Sequence, residues 1–324
     1  MKAIVQHRYG SADELALADI DRPAPTDDEV LVRVHAAGVD PSVWHIMEGK
    51  PYLIRAVGFG MRAPKTLVRG SDVAGVIEAT GANVTGFAPG DEVFGMSAGS
   101  FAEFAIARQD RLARKPARLS FVEAAAMPTS GVTALQALRD RGGVKPGQRV
   151  LVIGAGGGVG SFAVQLAVDF GAHVTGVCST AKVPLVSSLG ADEVIDYTRD
   201  GLETQGPRFD LVVDTAGNRR LSILRHLLAP GGTLVLVGGE GGGPVLGGIS
   251  RNLRAGVVAP FARQSLGGML ARANAGDLEY LAERAQAGAV TPHIEQTFPL
   301  DRAADAVRRL ADGHVAGKLV VTVP

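Results

Sequence analysis

Residues 150–160, VLVIGAGGGVG, followed by the helical run SFAVQLAVDFG, have the types and spacing that can hold an anionic diphosphate. A strand that ends in residues with little or no side chain can turn sharply. The main-chain N–H groups at the start of the next helix then face outward, where they and the helix dipole stabilise a phosphate. In the dinucleotide spacing the loop reads Ala155-x-Gly157-x-x-Gly160, with Gly156, Gly158 and Val159 between, so alanine stands where G-x-G-x-x-G has its first glycine. Alanine is small enough to keep that backbone close to a ligand. A glycine-rich turn can also be only a tight connection, and the weight rests on its strand-loop-helix setting.

The next strand-like run, HVTGVCS at 173–179, leads into Ser179, Thr180 and Lys182. A site for NAD usually closes this strand with an Asp or Glu that accepts from the ribose hydroxyls, and the run has no acid at its end. Two hydroxyls and a cation suit a 2′-phosphate, which a carboxylate would repel. The expected cofactor is NADP(H). The plainer reading is that Ser179 and Thr180 cap the following helix while Lys182 is solvated.

A fold must position these groups, and the composition allows one. The chain has 324 residues, 46% hydrophobic, with 33 Lys+Arg against 33 Asp+Glu, enough apolar material for about two domains and no global basic field. Nucleic acid is not an expected partner. Cys178 is the only cysteine, which excludes an internal disulfide and any zinc site built from two or more thiolates. The N-terminal stretch lacks the basic and apolar parts of a secretory signal, and the apolar runs elsewhere are too short or too glycine-rich to span a bilayer, so a cytoplasmic protein without a membrane partner is expected. Forty-three glycines without a repeat suggest many tight turns, as in an α/β protein with a nucleotide site.

Two textures divide the chain. To about residue 125 the segments are short and strand-like: VLVRVHAAGV at 30–39, DVAGVIEAT at 72–80, EVFGM after the Pro89-Gly90-Asp91 turn, and SFAEFAIA at 100–107. They read as a small, mostly antiparallel, barrel-like domain. From there to about residue 262, six apolar runs alternate with helical patterns: RVLVIGA, HVTGVCS, EVIDY, DLVVDTA, TLVLVG and GVVAPFA at 256–262. Runs apolar on both faces suit a doubly wound parallel sheet. Helical patterns DLEYLAERAQ and DRAADAVRRLADG follow, and the final KLVVTV is expected to return to the first domain's sheet.

Six segments taken in order carry a family resemblance: AAGVDP (36–41), GSDVAGVIEATG (70–81), PGDEVFG (89–95), SGVTAL (130–135), AGGGVG (155–160) and LGADEVIDY (189–197). Together they resemble the medium-chain dehydrogenase/reductase superfamily, and within it the zinc-free quinone oxidoreductase branch, over nearly the whole chain. The resemblance implies an α/β fold in which a Rossmann doubly wound parallel sheet, residues 125–262, is inserted into a chaperonin-10-like β-barrel catalytic domain, residues 1–124 and 263–324. It implies a cofactor in the cleft between them and a homodimer. It places Tyr197 beside the adenosine phosphate with Ser179 and Lys182, and Met127, Thr133, Val237, Gly238 and Phe261 along the nicotinamide half. The plainer reading makes Tyr197 a strand-end aromatic and Met127 and Phe261 core residues.

Zinc-dependent relatives place a cysteine just after the AAGV stretch, Gly-His-Glu where this chain has Gly70-Ser71-Asp72, and a four-cysteine lobe; none is present here. A makeshift metal set from Asp40, His45 and Asp72 is the alternative, of a kind that seldom binds metal. The resemblance then implies hydride transfer from C4 of NADPH to an electron-poor quinone or α,β-unsaturated carbonyl, with protonation by water or a nearby side chain. Candidates near the substrate are Asp40, Trp44, His45 and Tyr52. Related sequences often carry Asn where Asp40 stands, and a carboxylate there disfavours hydride donation unless protonated or paired. Residues 49–69, with five basic residues and Tyr52, Phe59 and Met61, read equally as a flap over substrate or as a surface loop. Two further readings stay open: carbonyl reduction to an alcohol without zinc, and a catalytically idle NADPH-binding protein.

Overall fold

Alternating and then continuous apolar residues make 30–39 the spine of the first sheet. In the computed structural model, which describes residues 1–202, 206, 208–238, 245, 247–259 and 262–324, the chain falls into two compact units. One is Met1–Val132 with Arg272–Pro324, the other Thr133–Ala271.

The first unit begins with the hairpin β1 (Lys2–Val5) and β2 (Ala16–Asp19). The spine is β3 (Glu29–Val39), followed by β4 (Asp72–Thr80), β5 (Glu92–Met96), β6 (Phe104–Arg108) and β7 (Leu112–Arg114), all antiparallel to their neighbours. Only the second half of the 100–107 run is strand. Phe101 instead ties the loop to its neighbours, donating from its N–H to Arg69 O and accepting from Ile4 N–H. Val30, Val32, Val34, Ile77, Val93 and Leu112 meet in the core between the strands. Three helices follow the strands' connections: α1 (Pro41–Glu48), α2 (Phe121–Ala125) and α3 (Pro128–Gln136). Proline at the first position and Asp40 as cap start α1, and Gly49, at φ 64°, ends it. Ser120 and Glu123 close a reciprocal capping box on α2.

The second unit is built on β8 (Arg149–Ile153), β9 (His173–Cys178), β10 (Glu193–Asp196), β11 (Phe209–Asp214), β12 (Leu228–Leu236) and β13 (Ser265–Gly268). All neighbours are parallel, in the order β10-β9-β8-β11-β12-β13. The chain therefore winds outward in one direction from β8 and in the other from β11, and the reversal lies between these two central strands. The connecting helices are α4 (Gly158–Asp169), α5 (Val183–Ser188), α6 (Leu221–Leu227) and α7 (Ile249–Val258).

One strand expectation fails. Residues 256–258 of the GVVAPFA run are the last turn of α7, with Val257 71% exposed, and the sixth strand is β13. The segment SLGG shows no apolar run because side chains fill the space above its glycines. A Cβ at Gly267 would lie 1.7 Å from the Arg141 guanidinium, and one at Gly268 would lie 2.3 Å from Asn252. Phe261 lies outside the described residues.

The chain then returns through α8 (Ala275–Gln286), β14 (Ile294–Pro299), α9 (Ala303–Ala311) and β15 (Lys318–Thr322). As the KLVVTV pattern implied, β15 pairs antiparallel with β3, Leu319 opposite Val39, and completes the order β14-β15-β3-β4-β5-β7. The long β3 shares one edge, pairing with β6 along Glu29–Arg33 and with β15 along Ala36–Val39. Among the described residues no helix is long and apolar enough to cross a membrane.

Candidate functional site

The glycine turn sits at the carboxyl end of β8, beside the point where the strand order reverses, which is where open parallel sheets bind ligands. Gly154 makes the turn at φ 83°, and a Cβ there would lie 2.5 Å from Thr215 Oγ1. The N–H groups of Gly154 and Ala155 both donate to Val177 O at 3.0 Å, binding the turn to β9. Gly160 brings α4 against the turn: its Cβ would lie 2.0 Å from Gly154 O. Gly157 is the cap and supplies no side-chain acceptor. The first helical ring closes from Ser161 N–H to Gly157 O at 2.9 Å. The N–H groups of Gly158, Val159 and Gly160 precede it and are the open donors of a helix start. Ala155 points away from this opening; it is fully buried and faces Gly176 of β9.

At the tip of β9 the tertiary structure adds what chain order hides. Register places Asp196, the last residue of β10, opposite Cys178, so an acid does stand beside this tip. Its carboxylate is occupied: it accepts from Thr180 Oγ1 at 2.6 Å, from Thr198 Oγ1 at 2.7 Å and from Thr198 N–H at 3.0 Å, with Arg199 at 3.5 Å. These bonds hold Asp196 below the usual carboxylate range, the Thr180 hydroxyl contributing most. Thr180 thus turns its hydroxyl toward the acid. Ser179 occupies the cap position of the short turn that follows but makes no side-chain capping bond. Lys182 lies across the glycine turn, where a Cβ at Gly156 would be 2.9 Å from Lys182 Cβ. Tyr197 donates its N–H to Cys178 O at 3.1 Å and is itself 48% exposed. The Cys178 thiol is pushed up to about 11, by burial first and by Asp196 next, with Lys182 opposing.

The far side of the opening is set by Asp214, the fully buried last residue of β11. Its main-chain oxygen accepts from Val237 N–H and Gly238 N–H at 3.0 Å each, which holds the segment after β12 against the turn. Its carboxylate accepts from Gly217 N–H at 3.3 Å and from the Arg251 guanidinium. A Cβ at Gly238 would lie 2.3 Å from Thr215 O. Thr133 belongs to this unit and is half-buried.

In the first unit, Asp40 and Asp72 are both buried. Asp40 Oδ1 accepts from Ser42 N–H at 2.9 Å, while its Oδ2 is buried without a partner. Asp72 accepts from Thr129 Oγ1 at 2.5 Å and Thr129 N–H at 3.1 Å. Burial and the charge of Asp40 push Asp72 up to about 7, against the pull of Lys318 and Thr129. Lys318, itself buried at the start of β15, donates to Ser130 Oγ at 3.2 Å. Further along α1, Trp44 Nε1 donates to Glu48 at 3.0 Å and its ring stacks on His45, centroids 4.9 Å apart. Tyr52 is exposed under the Arg55 guanidinium, which also covers Tyr9. Met127 has no exposed surface and is a core residue.

Known proteins are similar to this chain over its whole length. A family model described as "Alcohol dehydrogenase GroES-like domain" matches residues 26–117, and one described as "Zinc-binding dehydrogenase" matches residues 189–321. A chloroplast envelope quinone oxidoreductase homolog of Arabidopsis thaliana is 32% identical over 337 residues, covering 99% of this chain and 98% of the relative. The chain belongs to the medium-chain dehydrogenase/reductase superfamily, in its quinone oxidoreductase branch. A 2-methylene-furan-3-one reductase of Solanum lycopersicum is 35% identical over 339 residues, 99% of this chain and 79% of the relative. The solved quinone oxidoreductase from Coxiella burnetii superimposes with a TM-score of 0.85 at 30% identity, covering 100% of this chain and 99% of that one.

Two groups implied by the superfamily can be tested against these residues. A dinucleotide fits: an uncapped helix start, open donors and a turn of residues with little or no side chain of their own answer to a diphosphate. Zinc does not fit the donor set. The single thiol lies in the second unit, Asp72 is taken up by Thr129 and Asp40 by its helix, and no group of three His, Cys, Asp or Glu stands together among the described residues. Sequence reasoning missed Gly154, Asp196, Asp214 and Thr215. Gly154 had a readable signal, a glycine directly after the apolar β8, whereas the other three acquire their places only through strand order.

Proposed function

We propose that this chain is a reductase that uses NADPH to reduce a quinone or an α,β-unsaturated carbonyl and works without a catalytic zinc. The observation that carries it is the turn at Gly154–Gly160, whose helix start leaves the N–H groups of Gly158, Val159 and Gly160 open at the reversal between β8 and β11. The names of the relatives, quinone oxidoreductases and a furanone reductase, support the same class of substrate.

The nicotinamide, when bound, supplies the hydride. The chain's part is to bind and orient. Gly156, Gly158, Val159 and Gly160 hold the diphosphate with N–H groups, Gly157 shapes the turn through its own N–H bond to Gly154 O at 3.0 Å, and Ser179, Lys182 and Tyr197 take the 2′-phosphate. Asp196 does not oppose that phosphate strongly, because two threonine hydroxyls, an N–H and Arg199 already balance it. Val237 and Gly238, pinned to Asp214, shape the nicotinamide half with Thr133. Trp44, His45 and Tyr52 wall the substrate. Asp40 caps α1 close to Asp72, whose carboxyl its charge pushes up, and the proton that follows the hydride comes from water or His45. The open edge of β13 and the exposed Leu253 and Val257 of α7 suit a homodimer. A cytoplasmic location fits the lone buried Cys178.

The test is NADPH absorbance followed with a panel of quinones, enones and aldehydes. Turnover with quinones or enones and not with aldehydes is expected. Turnover with aldehydes alone would transfer the reading to carbonyl reduction, and none with any member would overturn the enzyme reading.

A further inference from the structure

We propose that Arg219 is a second phosphate-binding cation of the adenosine pocket, closing with Tyr197 over the sugar and selecting for the 2′-phosphate. The inference rests on the nicotinamide-dinucleotide reading above and adds a residue to it.

Strand order makes the placement informative. Arg219 follows β11 and Tyr197 follows β10, and these strands are separated in the sheet by β8 and β9. Three inter-strand spacings amount to about 14 Å. Yet the Arg219 guanidinium carbon lies 5.4 Å from the centre of the Tyr197 ring. The side chain and its loop therefore reach across the carboxyl ends of β8 and β9, over the opening that the glycine turn leaves. Lys182 approaches the same opening along Gly156, and Tyr197 is anchored beside Ser179 by its N–H bond to Cys178 O.

Charge and chemistry point the same way. The carboxylate at the tip of β10, Asp196, accepts from Thr180 and Thr198 and lies beside Arg199. Among the described residues Arg219 has no acidic partner and no hydrogen-bond acceptor, and the ring contact is its one close interaction. A guanidinium over a ring face keeps its planar N–H fork free at the edges, and that fork matches two phosphate oxygens at once, which a lysine cannot do. A 5′-phosphate alone does not reach this rim, because the helix start of α4 takes the diphosphate. The group that Arg219 can distinguish is the extra phosphate on the sugar.

Calorimetric titration with 2′,5′-ADP and with 5′-AMP tests this without any turnover. Arg219→Met is expected to weaken 2′,5′-ADP binding roughly 10- to 100-fold, the loss of a charge-assisted hydrogen-bond pair, while leaving 5′-AMP binding unchanged. Arg219→Lys should fall between, and Tyr197→Leu should weaken 2′,5′-ADP roughly two- to fivefold by releasing the arginine. Thermal unfolding of the unliganded variants should match the parent chain. Equal losses for both ligands would mean that Arg219 serves the adenine or the loop and would overturn the assignment. So would unchanged 2′,5′-ADP affinity in Arg219→Met; if the parent chain still prefers 2′,5′-ADP, that failure leaves the NADPH reading standing on Ser179 and Lys182. A parent chain that binds 5′-AMP as tightly as 2′,5′-ADP removes the NADPH preference itself, and the role of Arg219 with it.

Discussion

Two glycines three residues apart in the same turn should respond to alanine in opposite ways. A methyl at Gly160 would sit 2.0 Å from Gly154 O and 2.7 Å from Gly154 C, main-chain atoms that cannot rotate aside. Normal carbon–oxygen contact needs more than 3 Å, so α4 and the turn must part by about 1 Å. Forced overpacking of this kind costs typically 1–3 kcal/mol, and the displacement also carries the donors of Gly158 and Val159 away from the diphosphate. A methyl at Gly157 meets only Gly154 O, at 3.3 Å, and the backbone there, φ −95° and ψ −177°, accepts any residue. Gly157→Ala should therefore fold like the parent chain, but its methyl stands in front of the open donors. It should weaken nicotinamide dinucleotide binding roughly 10- to 100-fold, the worth of one charge-assisted hydrogen bond. Thermal unfolding and calorimetric titration of both variants separate the effects: Gly160→Ala lowers the midpoint and the affinity, Gly157→Ala the affinity alone. Full dinucleotide affinity in Gly157→Ala would refute the reasoning that the ligand lies against this face of the turn.

The buried acid of the first unit gives a pH signature. Because burial raises Asp72 from 3.8 to about 7, its contribution favours the fold most below pH 3.8 and is lost as pH rises toward about 7. Asp72→Asn should accordingly gain stability relative to the parent chain across that window, read from urea midpoints at several pH values; a constant difference would refute it. Lys182→Ala should weaken NADPH more than NADH in a fluorescence titration, since the aliphatic part of the side chain lies along the turn at Gly156. Cys178, buried with its thiol pushed up to about 11, should react with a thiol reagent at neutral pH only as fast as the second unit opens, and rapid labelling of the native protein would contradict this placement. Substituting Leu253 with Asp should shift a dimer toward monomer in sedimentation, if α7 and the edge of β13 meet a second copy.

Local sequence determined much of this protein. Both sheet types were legible because parallel strands covered on two faces must be apolar in their middles, as Val150–Ile153 and Leu211–Val213 are, while the turn residues around Pro89 and Gly90 announce antiparallel connections. The return of the last strand to the first sheet was legible from KLVVTV, though not its pairing with β3, and the tight turn after β8 was legible from its run of small residues. What the sequence could not carry was proximity across the sheet. Strand order set Asp196 against the tip of β9, turned Thr180 onto it and brought Arg219 over Tyr197, although these partners lie 16 to 22 positions apart in the chain. The β13 edge was hidden for a related reason. Its glycines answer to Arg141 and Asn252, neighbours chosen by packing, so a strand lacking any apolar run stood where the valines of α7 looked the better candidate. Periodicity reports which face of an element meets the core, whereas the electrostatics of a site depend on which elements become neighbours, and only the folded chain decides that.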